Sequence, residues 1–585
     1  MAEHLPNDQY DVIISSTGLV QSLLAGALCR VEKKVLHLDM NDRYGGQQST
    51  LNLEEFHQFI SRGQHSTDQS NHEKKEGATS LTYQDAYKIL HFDYKKKTTT
   101  QEDTSEQNTF RRSDLPNDMD EALVSQSRRF AIDLTSQLLF SNGEIVQLLI
   151  SSAVGRYLEF KCIDAIMVYV PEQIKKGQKP PETLNYRFEK VPLTKGDIMK
   201  NTFVSLPEKS YLVKFITSCM DYESQPEFQK YQNEPFIEYL RAKNLSPLLC
   251  SFIIYAIAML QDEKSVNARD GMSRVKLFIS SLGRYGSTPF LYPLFGSAEL
   301  NQAFCRVAAV YGATYVLRRG VENVVHDVNE NVTGIECTQG QLLKCSSGFV
   351  LDRDYCASNV VVSECNSIVR QVLISDSALF DPNQITGKEN SLGCAVVAYI
   401  PPGSFGNDQK YCVTVMQVDQ TSSCAPKGKF LISLQIKRDQ GDSDEQVLSL
   451  LKTISTRLFE SKNIVFDDVV AYQAVYRQLI RSGNCGLPAF ENLFVCDDAD
   501  GSLDYGYLVS RAKNVFEKLT KGQDFEFLPK MPNPDGEDDQ RVDETSRLLG
   551  LGLEEQSAKL DQEEVVESKD ETNEQITEEQ ETKQD

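Results

Sequence analysis

Residues 10–39 limit the fold of this chain more than any other stretch. YDVIISS is extended and apolar, TGLVQSLLAGALCRVEKK keeps Leu23, Leu24, Ala27 and Val31 on one broad helical face, and KVLHLD is extended again. Strand, tight turn, helix and strand in that order start an α/β layered fold with a parallel sheet. Where a dinucleotide-binding turn carries G-x-G-x-x-G, this chain has Ser16, Gly18 and Gln21, and Asp39 ends the second strand at the distance of a ribose-binding carboxylate. Ser16 should crowd the tight turn and Gln21 the close helix–strand packing. The expectation is a dinucleotide-type fold with impaired or absent nucleotide binding and no flavin.

A chain of 585 residues exceeds one core, so two or three domains plus irregular segments are expected. The net charge of −23 argues against nucleic-acid binding, and −14 of it falls in residues 535–585. That stretch lacks aromatics and reads as a disordered acidic tail with a short helix at 548–553. The 14 cysteines form no CxxC pair, which points to a reducing compartment and gives no zinc spacing. The opening MAEHLPNDQYD has neither a basic nor an apolar signal region, so a cytosolic protein is expected. The longest apolar run, residues 248–260, falls short of the roughly 20 residues that span a bilayer and reads as a buried helix.

Residues 61–125 are rich in Ser, Thr, Gln, Asn and charge, and read as a poorly ordered insertion in which His65, His72 and His91 are exposed loop residues. Helical segments dominate 182–282, giving a small all-α domain inserted in the larger fold. Residues 284–319 then combine an aromatic turn, an amphipathic helix and a strand. On that helix Leu300, Phe304, Val307 and Tyr311 share one side, and Glu299, Gln302 and Arg306 the other. Periodicity alone leaves the second face open between a solvated surface and a binding surface. Strand-like runs after 319 suit an antiparallel sheet flanking the parallel one.

The YDVII strand, the turn Asp42, Arg43, Tyr44, Gly45, Gly46, RRFAIDL at 128–134, RYLEFK at 156–161 and RYGSTPFLYPLFGSAELNQAFCRVAAVYGATY together resemble the Rab GDP-dissociation-inhibitor and Rab escort protein superfamily. The resemblance extends over residues 10–534. It implies a flavin-type (GDI-like) dinucleotide fold with mixed sheets, built discontinuously from 1–60, 126–181 and 283–534, with the 182–282 insert as a lipid-binding domain. The insertion after the first block and the ending DFEFLPKMPNPDGED look like the escort branch.

What the resemblance implies is a non-catalytic accessory subunit. Such a protein binds GDP-bound Rab GTPases, presents them to the α/β Rab geranylgeranyltransferase and carries the prenylated product, with transient membrane contact. The Rab-binding platform falls on Tyr44, Glu299, Gln302, Arg306 and Thr314. Phe290, Leu291, Leu294 and Phe295 are candidates for holding the Rab C-terminal segment. Phe215, Phe252, Ile253, Ala256 and Ile257 are candidates for sheltering the geranylgeranyl chain. The family's transferase-docking Phe and Arg fall on Met199 and Ser210, so docking should weaken or shift to Lys200, Lys209 or Lys214. Two alternatives stand: a dissociation inhibitor that recycles prenylated Rab, and an amine-oxidase-like flavoenzyme. Ser16, Gln21 and the Asp497-Asp498 pair, where amine oxidases carry Gly-Asp, argue against the second.

Overall fold

The computed structural model describes residues 4–62, 78–83, 86–96, 115–172, 186–193, 195–200, 204–263, 266–357, 366–407, 409–483 and 486–530. The acidic tail, the helix expected at 548–553, His65 and His72 lie outside these residues. The first strand, Gln9–Ser15, runs parallel to Val35–Leu38 on one side and Leu342–Asp352 on the other. Covered on both faces, its residues Val12, Ile13 and Ile14 are fully buried, as an interior parallel strand demands. Thr314–Val316 and Leu493–Cys496 extend the parallel part. Val332–Cys337 and Val321–His326 continue the sheet antiparallel. Helices Leu19–Arg30, Ala298–Val310 and Gly506–Leu519 pack on this sheet around Leu23, Leu24, Phe304, Val509 and Phe516. The result is the mixed α/β fold that the first forty residues predict.

A second, eight-stranded sheet is antiparallel except where Ala165–Pro171 meets Val396–Ile400. Its central strand Ser367–Ser375 is buried along its whole length because both faces are covered. Val369 and Leu373 pack with Leu451 and Leu458 of helix Asp444–Glu460. Val372 and Ile374 face the helical insert. The insert therefore shares its core with the sheet, and Phe215, Phe236 and Ile253 belong to one continuous cluster with Val397 and Tyr476.

Three expectations are revised. The insertion 61–125 holds two ordered strands: Ala78–Tyr83 pairs with Val321–His326 and Tyr355–Ala357, and Tyr87–Tyr94 pairs with Val470–Leu479 in the second sheet. His91 lies in the second of these strands rather than in a loop. Their partners are hundreds of residues distant, and half-exposed strands carrying Thr, Tyr, Lys and His show no apolar stripe. Next, the helical insert starts later than expected, because Tyr186–Lys190 is a strand pairing with Ala165–Pro171. Finally, residues 247–260 are not one regular helix. Pro247–Ser251 is α-helical, but Phe252–Ile257 has wider turns in which the Ala258 amide donates to the Ile253 carbonyl at 2.7 Å. Among the described residues no helix is long and apolar enough to cross a membrane.

Candidate functional site

Helix Ala298–Val310 is set in place at its first turn by a buried carboxylate. Asp133, in the RRFAIDL stretch, accepts from the Ser297 amide at 2.8 Å, the Ser297 hydroxyl at 2.7 Å, the Tyr292 hydroxyl at 2.6 Å and the Thr50 hydroxyl at 2.5 Å. An anion at a helix N-terminus complements the helix dipole, and here it also ties three distant segments together. Gly296 permits this approach: its φ is +96°, and a Cβ there would meet Asp133 Oδ1 at 2.6 Å. Leu300, Phe304 and Val307 face the core as predicted. Tyr311 does not: the helix ends at Val310, and Tyr311 lies exposed with the Arg30 guanidinium 5.3 Å over its ring.

The Tyr44 turn approaches the same helix. Asn301, buried on the packing face, donates to the Gly45 carbonyl at 3.2 Å, and the Gly45 amide donates to Thr17 Oγ1 at 3.0 Å. Tyr44 then packs edge-on against Tyr315, with centroids 6.0 Å apart. Tyr44, Tyr157, Glu299, Gln302, Arg306 and Tyr315 line a concavity of about 350 Å³ open to solvent. Glu299 is half-buried, which raises its carboxyl pKa, and it accepts from Gln302 Nε2 at 3.3 Å. The Arg306 guanidinium lies 4.5 Å over the Tyr157 ring. Four of the five platform residues thus meet around one surface.

Thr314 stands apart from it. Alternation along Thr314–Val316 sends Thr314 and Tyr315 to opposite faces, and Thr314 is exposed. Asp133, Asn301 and Tyr157 were not identified from sequence. An Asn on the apolar face of an amphipathic helix is a signal for an anchor such as Asn301.

The other predicted residues are distributed less uniformly. Phe290 and Leu291 lie in the strand Phe290–Pro293, with Phe290 packed between Phe140 and Phe278 in the core, so neither offers a surface to a partner. Phe295, at φ +66°, is 57% exposed, and Leu294 is half-buried. Phe215, Phe252, Ile253, Ala256 and Ile257 are all buried together. Met199 is 60% exposed and Ser210 is exposed. Lys209, expected as a substitute for the missing Arg, is buried and donates to the Met199 carbonyl at 2.6 Å, while Lys214 is exposed. Leu206, 73% exposed, and Tyr211 add apolar surface beside Ser210 that sequence reasoning missed.

The place of a dinucleotide is filled by the protein's own side chains. Gln48 Oε1 accepts from the Leu19 amide at 3.1 Å, at the helix N-terminus where a phosphate would sit. Gln21 donates to Asp352 at 2.7 Å. Asp39 is saturated: one oxygen takes the Thr17 amide and hydroxyl, the other the Asn41 amide and side chain. No acceptor remains for a ribose hydroxyl. The added carboxylate of the altered pair, Asp497, is met by Arg511 at 2.7 Å, and its buried neighbour Asp498 is met by Arg481 at 2.8 Å. About 20 Å³ remains, so the residues present do not fit a flavin nucleotide.

The fold is of the dinucleotide-binding type, shared with a crystal structure of Rab GDI from Plasmodium falciparum (TM-score 0.62, 20% identity, 90% of this chain and all of that one). An oxidoreductase from Methanosarcina mazei shares it more distantly, at TM-score 0.50 and 13% identity over 87% of this chain and all of that one. The chain belongs to the GDP dissociation inhibitor family, whose model matches residues 6–80 and 75–527. Its relatives include the Drosophila melanogaster Rab proteins geranylgeranyltransferase component A, 27% identical over 93% of this chain and 95% of that protein. The rat component A 1 is 31% identical over 71% of this chain and 60% of that protein. The Arabidopsis thaliana Rab escort protein 1 is 26% identical over 88% and 93%.

Proposed function

We propose that this protein is a Rab escort protein, the accessory component A of Rab geranylgeranyltransferase. It binds GDP-bound Rab GTPases and presents them for prenylation of their C-terminal cysteines. The observation that carries the reading is the convergence of Tyr44, Glu299, Gln302 and Arg306 on one concavity, on elements anchored by Asp133 and Asn301. Opposite charges and aromatic rings on rigid supports suit a surface that reads a switch conformation differing between GDP and GTP states. Relatives named as component A across most of the chain support it.

The protein acts as an accessory component and holds no flavin; relatives named as component A support the first statement, and the saturated Asp39 and side-chain-filled turn support the second. The geranylgeranyl chain is sheltered by the helical insert, where the wide-turned segment Phe252–Ile257 and its neighbours part to admit it. At about 0.8 kcal/mol per buried methylene, partial shelter offsets much of the lipid's aversion to water. The transferase docks at the exposed surface of Met199, Leu206, Ser210 and Tyr211. The protein works in the cytosol and visits membranes only to deliver its cargo.

The test is prenylation in vitro of GDP-loaded Rab by the transferase, with and without this protein and with a Glu299→Ala, Arg306→Ala variant. Lipid incorporation should depend on the protein and be lost in the variant. No stimulation combined with tight binding to prenylated Rab would move the protein to the recycling branch, which the missing Phe and Arg at 199 and 210 favour.

A further inference from the structure

Arg306 is the platform residue least fixed by its own helix. It projects from the exposed face, and a long cation ordered only when a partner arrives loses rotamer freedom at that moment. Here it is ordered beforehand, because its guanidinium lies 4.5 Å over the ring of Tyr157, within the range of a cation–π contact.

Tyr157 belongs to a different part of the chain, the turn Val154–Tyr157, and that turn is rigid. Val154 is fully buried, Ala153 takes a left-handed φ of +58°, the Leu158 amide donates to the Gly155 carbonyl at 3.2 Å, and a Cβ on Gly155 would crowd the Leu149 carbonyl at 3.3 Å. A rigid turn that leaves a tyrosine ring 47% exposed, with a cation on its face, is not spending that ring on the core.

The placement has a second effect. Glu299 and Arg306 lie two turns apart on one helix face, with Gln302 between them and bonded to Glu299 at 3.3 Å. Tyr157 lines the concavity together with both, so the contact fixes where the cation stands on the surface that carries the carboxylate.

We propose that Tyr157 is a positioning residue of the platform: it pre-orders Arg306 on the surface that Glu299 shares, and so sets the affinity for GDP-bound Rab. The inference rests on the escort reading, and the experiment separates the two. Binding of GDP-loaded Rab to the full chain is titrated for Tyr157→Phe, Tyr157→Leu, Arg306→Ala and the Tyr157→Leu, Arg306→Ala double variant.

Tyr157→Phe keeps the ring and should bind within about twofold of the parent, whereas Tyr157→Leu should lose roughly 3- to 10-fold. The double variant should bind no more weakly than Arg306→Ala, because the tyrosine acts only through the arginine. Equal thermal midpoints for Phe and Leu variants show that the difference is not one of folding. Parent-like binding by Tyr157→Leu beside a loss in Arg306→Ala overturns the inference and leaves the platform standing. A loss in Tyr157→Phe equal to that in Tyr157→Leu overturns it in favour of the hydroxyl. Parent-like binding by Arg306→Ala overturns inference and platform together.

Discussion

Replacing Arg481 with Met tests whether the buried charge cluster of Arg481, Asp354 and Asp498 holds the fold together. Its side chain is 1% exposed and bonds Asp498, whose side chain is wholly buried, through Nε at 2.8 Å and Nη2 at 3.1 Å, and it also bonds Asp354. Burial alone would lower the Arg481 pKa, but the two carboxylates outweigh it and raise it; burial likewise raises Asp354 against the opposing arginine charge. Met fills similar volume without charge, so both carboxylates are left in the interior unpaired. Breaking a buried pair in this way costs about 3–5 kcal/mol, a large part of the roughly 5–15 kcal/mol that holds a domain folded. Urea unfolding followed by circular dichroism at neutral pH should show that loss. In mild acid the gap should narrow, because burial already raises the Asp354 pKa and without the arginine its carboxylate takes up a proton in the folded state. Adding Asp354→Asn and Asp498→Asn should restore most of the stability, since removing a whole buried cluster is far cheaper than removing half. A loss under about 1 kcal/mol, the range of an exposed pair, or a loss independent of pH would refute the reasoning.

Glu299 gives a prediction of opposite sign. Burial raises its folded pKa, so its charged form burdens the fold above that pKa, and the burden disappears as pH falls towards the unfolded value. Glu299→Gln should therefore raise the thermal midpoint at neutral pH, converge with the parent in acid, and still lose Rab affinity; parent affinity should begin to fall at a pH above the ordinary Glu range. Gly271→Ala places a methyl 2.4 Å from the Phe236 ring in the helical insert and should cost about 1–3 kcal/mol there, seen as faster amide exchange in Ala268–Ser281 with unprenylated Rab binding unchanged. Met199→Phe with Ser210→Arg, both at exposed positions, should tighten transferase binding roughly tenfold in a pull-down titration without altering affinity for Rab.

The parts of the fold that could be read from sequence are those where one local period decides the outcome. Residues 10–39 and the helix carrying Glu299 and Arg306 bury their apolar faces against elements that must lie beside them. Tyr311 broke the pattern because the helix stops one residue earlier, and periodicity carries no stop signal there. Strands 78–83 and 87–94 were missed because their partners are remote and their exposed faces are polar. Phe290 and Leu291 look like binding residues in sequence because an apolar turn and an apolar strand have the same composition. Only the pairing with Leu139–Phe140 and Phe160–Cys162 distinguishes them. Tyr157 was beyond reach for a different reason: its role depends on a cation 149 positions away in the sequence.

The same two strands have a bearing on how the protein can be shortened. Between Tyr83 and Tyr87 the chain leaves one sheet and enters the other, and Tyr87–Tyr94 closes the edge of the ten-residue strand Val470–Leu479. Excising 61–125 as dispensable low-complexity sequence would uncover a long edge lined with Ala471, Val475 and Tyr476 and offer its free amides and carbonyls to any neighbouring chain. Such a truncated protein would keep Tyr44, Glu299 and Arg306 and lose solubility, adding strands from its own copies where Tyr87–Tyr94 had been.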